Sequence, residues 1–203
     1  MILYKYMSFG AARKVIDTLS LGFSCLEDLN DPFECTAFGF KDSEGSISAK
    51  TATDACRNRF SRKYGVLSLT RQPLNALMWS HYGDSHQGVV LGFDCDSAGF
   101  SDPKSNVIPS QYGEMIYSAT KPHNDLLVIG ENELMDIGGS LRFDSNAFNL
   151  MKRAFLYKSL EWAYEEEVRV VKNIGEIPFG YHTGGGCYRE CNKVTVSGRP
   201  LYC

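Results

Sequence analysis

The segment Tyr164-Glu165-Glu166-Glu167-Val168-Arg169 concentrates charge at the head of an apolar run. Side chains alternate along a strand, so Glu165, Glu167 and Arg169 share one face there and Glu166 takes the other. Neighbouring carboxylates repel, and an adjacent guanidinium offsets the repulsion. Two roles fit. One is a solvated ion pair on an edge strand. The other is a carboxylate fixed at a strand start, where it stabilises positive charge that develops in a reaction. Glu167, facing a solvent-reaching cleft, would then tolerate a neutral isostere without loss of fold.

A second concentration holds Ser68, Thr70, Trp79, His81, Tyr82 and His86. Trp79 and Tyr82 are three apart, so on a helix they share a face. Such pairs fill cores, and they also stack flat rings such as nicotinamide or adenine. His81 and His86 are candidates for acid–base work, set against the commoner role of a surface or capping histidine. Asn30-Asp31-Pro32-Phe33-Glu34 reads as a helix start, with Asp31 as N-cap, Pro32 in the first turn and Glu34 closing a capping box. The functional alternative makes Asn30 or Asp31 a pocket rim. His182, Cys187, Cys191 and Cys203 are zinc-ligand types, at a spacing that matches no common finger. Gly184-Gly185-Gly186 lacks the Lys-Ser/Thr of a phosphate loop, and no GxSxG, HExxH or strand-borne GxGxxG occurs.

The elements that must position these residues follow from periodicity. Ile2 to Tyr6 alternates and predicts a strand. Ser8 caps a helix over Ala11 to Leu19, with Ala12, Val15, Ile16 and Leu19 as its apolar stripe. Leu21 to Ser24 predicts a short strand, and Thr51 to Arg62 a helix. Tyr64 to Thr70 is a strand. Leu74 to Tyr82 is a compact helix that buries Leu74, Leu77 and Met78, and Gly83 is its left-handed C-cap. Gly88 to Asp94 is a buried strand, and another ends at Glu114 to Tyr117. Asp125 to Met135 and Asn146 to Leu160 read as helices. Strands follow at Glu167 to Lys172 and Lys193 to Val196. Mixed helices and strands without internal repeats predict an α+β (mixed α/β) fold.

The chain has 203 residues, 43% hydrophobic and 22% charged, enough for one core and one domain over 1–203. A net charge of −3 does not point to a broad electrostatic grip on nucleic acid, and leaves room for a local basic groove. No apolar run approaches the roughly 20 residues of a membrane span. Met1 to Gly10 reads as a strand rather than a signal peptide. Seven cysteines, an odd number, then suit reduced thiols in a cytoplasmic protein.

Five segments together resemble a bacterial family known only as a domain of unknown function: LYKY at Leu3 to Tyr6, NDPFE at Asn30 to Glu34, VLSLT at Val66 to Thr70, MWSHYGDSHQGVVLGFD at Met78 to Asp94, and KSLEWAYEEEVRVV at Lys158 to Val171. The order of elements also resembles the ADP-ribosyltransferases of the poly-ADP-ribose polymerase and diphtheria-toxin type. Those carry Leu-aromatic-His on the first strand, where this chain has Leu3-Tyr4-Lys5. They continue with a strand bearing Ser, a helix bearing a nicotinamide-stacking Tyr, a Gly-led strand, and a catalytic Glu heading a late strand.

The resemblance implies split antiparallel β-sheets with flanking helices and NAD as substrate. It implies Glu167 and Glu165 as catalytic carboxylates, and Lys5, Tyr4, Ser68, Tyr82 and His81 around the dinucleotide. A toxin-like or phage-defence effector would modify a protein or nucleic-acid acceptor, with a cognate antitoxin or other partner protein and no membrane. Two other classes stand beside it. One is a non-catalytic nucleotide- or protein-binding module of the same fold; the other is a nuclease or other hydrolase using His81, His86 and Glu167. The cysteines are expected to be reduced, which intact-mass measurement with and without alkylation of freshly isolated protein checks; stable disulfides would contradict it.

Overall fold

The computed structural model of the chain describes residues 1–31, 40, 48–120, 139–174, 193–195 and 201–202. Its centre is an antiparallel sheet of four long strands with a two-residue edge, in the order β7-β3-β1-β4-β9. These are β1 (Ile2–Met7), β3 (Tyr64–Thr70), β4 (Val89–Asp94), β7 (Glu167–Asn173) and β9 (Leu201–Tyr202). Two small sheets flank it. β2 (Ser20–Gly22) pairs antiparallel with β8 (Lys193–Thr195), and β5 (Ile116–Ser118) pairs parallel with β6 (Tyr157–Ser159). The four α-helices among the described residues are α1 (Phe9–Thr18), α2 (Ala49–Lys63), α3 (Ala76–Tyr82) and α4 (Phe148–Phe155). The fold is mixed α+β, and among the described residues no helix is long and apolar enough to cross a membrane. Cys25, Cys56 and Cys95 are buried, and Cys56 and Cys95 are free thiols.

Alternation along β3 and β7 sorts the core into two halves. Leu67, Leu69, Val168 and Val170 join Leu3, Met7, Leu91 and Phe93 on the face packed against Ala12 and Val15 of α1. On the opposite face, Val66 and Val171 sit under Phe60 and Phe155 from α2 and α4. Each fully buried aromatic or aliphatic side chain contributes on the order of 1.5–3 kcal/mol. That second face changes character along its length. The register pairs Val66 with Val171, Ser68 with Arg169 and Thr70 with Glu167, and Tyr4 pairs with Thr70. Two steps of period two therefore carry one surface from apolar core to a polar floor.

β1 and β3 are in register only at Tyr4 and Thr70, whereas β1 and β4 pair from Ile2–Asp94 to Met7–Val89. Farther along, the edge of β3 turns to Ser24, which exchanges two backbone hydrogen bonds with Val66, both 2.8 Å. The space between β1 and β3 is bridged by Lys5, whose Nζ donates to the Ser68 carbonyl at 2.9 Å. This opening positions the site.

Several boundaries differ from the sequence expectation. α3 starts at Ala76 because the Asn75 side chain accepts from the amides of Leu77 and Met78. Leu74 and Leu77 are 82% and 51% exposed rather than buried; the inward face carries Met78, Trp79 and Tyr82. Gly83 is not left-handed, with φ −96°. A Cβ there would meet the Trp79 ring at 2.7 Å, and this close approach is what calls for glycine. The left-handed residues are Asp84, Ser85 and His86, at a cost on the order of 1 kcal/mol each.

The helix expected over 146–160 ends at Phe155, because Tyr157 to Ser159 leave it to pair with β5. The strand expected at 114–117 runs from Ile116 to Ser118, and that expected to end at Val196 is seen over Lys193–Thr195. The helix expected at 125–135 lies outside the described residues, as does the helix start after Asp31. Asp31 itself is buried and accepts from the Ser159 amide at 2.8 Å.

Gly113 lies against β7, where its carbonyl accepts from the Arg169 amide at 2.8 Å. A Cβ there would stand 1.8 Å from the Arg169 carbonyl oxygen, a backbone atom with no room to yield. Gly113→Ala is expected to cost at least about 1–3 kcal/mol. Thermal melting checks it, at about 2–4 °C per kcal/mol for a chain of this size.

Candidate functional site

The opening between β1 and β3 is a cleft of about 260 Å³. Its floor is the polar half of the sheet face: Ser68 and Thr70 from β3, and Glu167 and Arg169 from β7. One wall is Tyr4 and Tyr6 of β1 with Met78 and Tyr82 of α3, and the other includes Asp28 and Asn30. The Tyr6 hydroxyl ties α3 to the sheet: it donates to the Gln72 carbonyl at 2.8 Å and accepts from the Asn75 amide at 3.0 Å. Trp79 packs edge-on against the Tyr6 ring at 5.3 Å.

At the deep end two carboxylates and two cations interlock. Arg169 donates through Nε to Glu167 Oε1 at 2.8 Å, and through Nη1 to the Phe155 carbonyl at 2.7 Å. Lys158 Nζ donates to Glu167 Oε2 at 2.9 Å and to Glu165 Oε2 at 2.5 Å. Its ammonium also lies 5.1 Å from the Trp162 ring centroid. The Tyr82 hydroxyl donates to Glu165 Oε1 at 2.6 Å. The exposures are 1% for Arg169, 3% for Glu165, 4% for Glu167 and 7% for Lys158.

The Glu165-x-Glu167 pair meets by a route other than the expected one. Glu165 ends a 3-10 turn (Leu160–Glu165), Glu166 turns left-handed with φ 42°, and the strand begins only at Glu167. Thr70 Oγ1 holds the Glu165 carbonyl at 2.5 Å, and the Tyr117 hydroxyl accepts from the Glu167 amide at 2.8 Å. Glu166 is exposed and accepts from Gln72 Nε2.

Burial by itself pushes the Glu167 carboxyl up. The charge of Arg169, then that of Lys158, and the hydrogen bonds of both outweigh it and hold the group down at about 2. For Lys158, burial acts downward, and Glu167 and Glu165 overcome it, so the ammonium is raised. Burial raises the Tyr82 phenol, and its bond to Glu165 raises it further, so Tyr82 remains a donor. Among the described lining residues, three cations, Lys5, Lys158 and Arg169, balance three carboxylates, Asp28, Glu165 and Glu167.

Lys5, Tyr4, Ser68, Tyr82, Glu165 and Glu167, drawn from four separate stretches of sequence, all line this cleft. His81 does not. It is exposed on α3, with its ring 6.5 Å from those of Trp162 and Tyr164. His86 is exposed in the left-handed turn and also stands outside the lining, so the grouping of His81, His86 and Glu167 is not assembled in the cleft. Asn30 does form part of the rim and hydrogen-bonds the Tyr82 side chain. Lys158 escaped the sequence reading as a site residue. Its one sequence signal is a lysine seven residues before a Glu-x-Glu, and its meaning depends on the parallel β5–β6 pairing. Glu167 is not the solvent-facing group expected, because Arg169 and Lys158 close over its oxygens. His182, Cys187, Cys191 and Cys203 lie outside the described residues. Among those described, no group of three or more His, Cys, Asp or Glu is placed to hold a metal.

Residues 78–170 match the model of a family described as a protein of unknown function, DUF2971. The matched stretch runs from α3 into β7 and holds Tyr82, Lys158, Glu165, Glu167 and Arg169, while Lys5 and Ser68 precede it. No curated protein and no solved structure matches the chain.

The unfolded Glu167 carboxyl titrates near 4.5 and the folded one near 2, so between these values the folded chain binds fewer protons. This contribution to stability is complete above about pH 4.5 and is lost as the pH falls toward 2. Wild-type melting temperature is expected to drop across that window. Glu167→Gln, which removes the buried carboxylate that Arg169 and Lys158 share, is expected to cost about 3–5 kcal/mol at neutral pH and to flatten the acid drop. Melting curves from pH 3 to 7 measure both effects.

Proposed function

We propose that this cleft binds NAD and transfers its ADP-ribosyl group to a macromolecular acceptor. The observation that supports the reading is the convergence of Lys5, Tyr4, Ser68, Tyr82, Glu165 and Glu167 on one cleft between β1 and β3. In this reading the five-stranded sheet, opening at that point, corresponds to the split sheets of the ADP-ribosyltransferase type. The bond from the ribosyl C1 to the nicotinamide nitrogen breaks, and nicotinamide leaves with the bonding pair. Positive charge builds on the ribosyl ring until an acceptor oxygen or nitrogen forms the new bond to C1 and gives up its proton to solvent. A carboxylate held in a dry site stabilises that charge.

Of the two carboxylates, Glu165 is the better placed. Arg169 and Lys158 hold both oxygens of Glu167, whereas Glu165 Oε1 is bonded by a half-buried phenol on the cleft wall that a ligand hydroxyl can replace. Tyr82 and Tyr4, from the same wall, offer their rings to the nicotinamide, and Lys5 and Ser68 lie beneath the ribose. The acceptor is a protein or a nucleic acid, which suits a toxin-like or phage-defence effector held in check by a partner protein.

A second reading is a non-catalytic module that binds a nucleotide or partner in the same cleft. The balance of three cations against three carboxylates favours it, because each acidic group at the deep end already has an internal counter-charge. Nicotinamide release separates the two. Under the transferase reading, Glu165→Gln loses on the order of a hundredfold or more in rate and stays folded, since the Gln oxygen still accepts from Lys158 and its amide can donate to the Tyr82 hydroxyl oxygen. Glu166→Gln, on the solvent side, keeps wild-type rate. Binding of NAD without release by wild-type protein would sink the transferase reading in favour of the module.

A further inference from the structure

Lys158 is the one described side chain that bonds both Glu165 and Glu167. It reaches the cleft from β6, a three-residue strand whose register sets Lys158 opposite Tyr117. The next residue is anchored separately, by the Ser159 amide bond to Asp31. The backbone is thus fixed on both sides, and the ammonium meets one oxygen of each carboxylate at 2.5 and 2.9 Å. Trp162 covers its outer side. Arg169 touches Glu167 at 2.8 Å through Nε, and the bonds described for Glu165 come from Tyr82 and Lys158.

We infer that Lys158 is a positioning residue: it holds Glu165 and Glu167 side by side as two ionised carboxylates and aims Glu165 Oε1 at the cleft. The argument is one of charge count in a buried volume. Two carboxylates that share a site cannot both ionise without compensation. Arg169, on the same strand as Glu167, supplies one cation, and Lys158 supplies the second while touching both acids. Among the described residues, the other charged and titratable groups around it are Tyr82 on α3, Tyr117 on β5 and Tyr164 beside Trp162, with Asp31 bonded to the Ser159 amide and Lys5 and Asp28 in the cleft lining. The three phenols are raised by burial and carry no charge at neutral pH, so none of them substitutes for the ammonium. Without Lys158 the carboxylate pair keeps one proton, and Glu165 loses both its charge and its aim.

The proposal rests on the cleft as the ligand site, but its first test does not depend on NAD. Melting temperature is measured from pH 5 to pH 8 for wild type, Lys158→Met, Lys158→Arg and the double variant Lys158→Met/Glu165→Gln. In Lys158→Met the folded pair binds more protons than the unfolded one, so its stability falls as the pH rises through this range. Wild type shows no such fall. Lys158→Arg restores the wild-type profile, and Glu165→Gln, by removing the surplus carboxylate, rescues the melting temperature of Lys158→Met at pH 8. A Lys158→Met profile parallel to wild type, or no rescue in the double variant, overturns the proposal. So does a Lys158→Met chain that folds at no pH and is not rescued by Glu165→Gln.

The second test is the pH profile of nicotinamide release from NAD. Its acid limb is expected to move up by about one unit or more in Lys158→Met and to return in Lys158→Arg. An unmoved limb would make Lys158 a merely structural residue and overturn the positioning role. Absence of release from wild type would end the transferase reading while the melting profiles still decide Lys158. Turnover with parallel melting profiles would end the Lys158 proposal alone.

Discussion

A guanidinium and an ammonium buried beside two carboxylates constrain much of this molecule. Arg169 is among its largest fully buried side chains, and an unpaired charge in such a place would cost several kcal/mol. Glu167 stands two residues away on the same face of β7 and meets it. The Phe155 carbonyl, at the end of α4, takes another guanidinium donor. Lys158 reaches the same carboxylate from β6, and Glu165 from the 3-10 turn. One electrostatic requirement therefore joins α4, β6, the turn and β7, which follow one another in the chain and close one end of the sheet.

The cleft follows from a change of polarity along a single sheet face. Val66 and Val171 bury against Phe60 and Phe155, so that end needs a cover of helices. Ser68, Thr70, Glu167 and Arg169 continue the same rows with polar groups, and among the described residues no helix of the core packs flat on them. β1 stays beside β3 only at Tyr4, and β3 then takes Ser24 as neighbour. A gap between strands normally leaves backbone groups unpaired in a buried place. The Lys5 ammonium meets the Ser68 carbonyl there, which gives this half-buried lysine a structural role in keeping the cleft open.

Much of the architecture was legible from local pattern. Tyr64 to Thr70 and the strand starting at Glu167 were readable because runs of β-branched and apolar residues are buried on both faces, and such runs permit few other structures. Ser8 caps α1 as its position implied. α3 was legible as a helix but not in its orientation. Leu74 and Leu77 are the more hydrophobic by type, yet the sheet offers α3 the Tyr6 ring and Val90, and the face that fits them carries Met78, Trp79 and Tyr82. The end of α4 was not legible, because pairing of Tyr157 to Ser159 with β5 is a non-local bond that overrides helix propensity.

By itself the sequence determined that Glu165, Glu167 and Arg169 form one group, since a charged triplet spaced by single residues must be near-neighbours in any extended or turning backbone. It also singled out Lys5, Ser68 and Tyr82 as partners of that group through the resemblance of the whole element order. Tertiary structure alone decided which carboxylate is enclosed and which meets the cleft wall, that His81 and His86 stand outside, and that Lys158 stands between the acids. The physical reason is that charge pairing in a buried site depends on distances of about 3 Å between atoms far apart in the chain. Strand order, register and the turn at Glu166 set those distances, and residue type alone leaves them open.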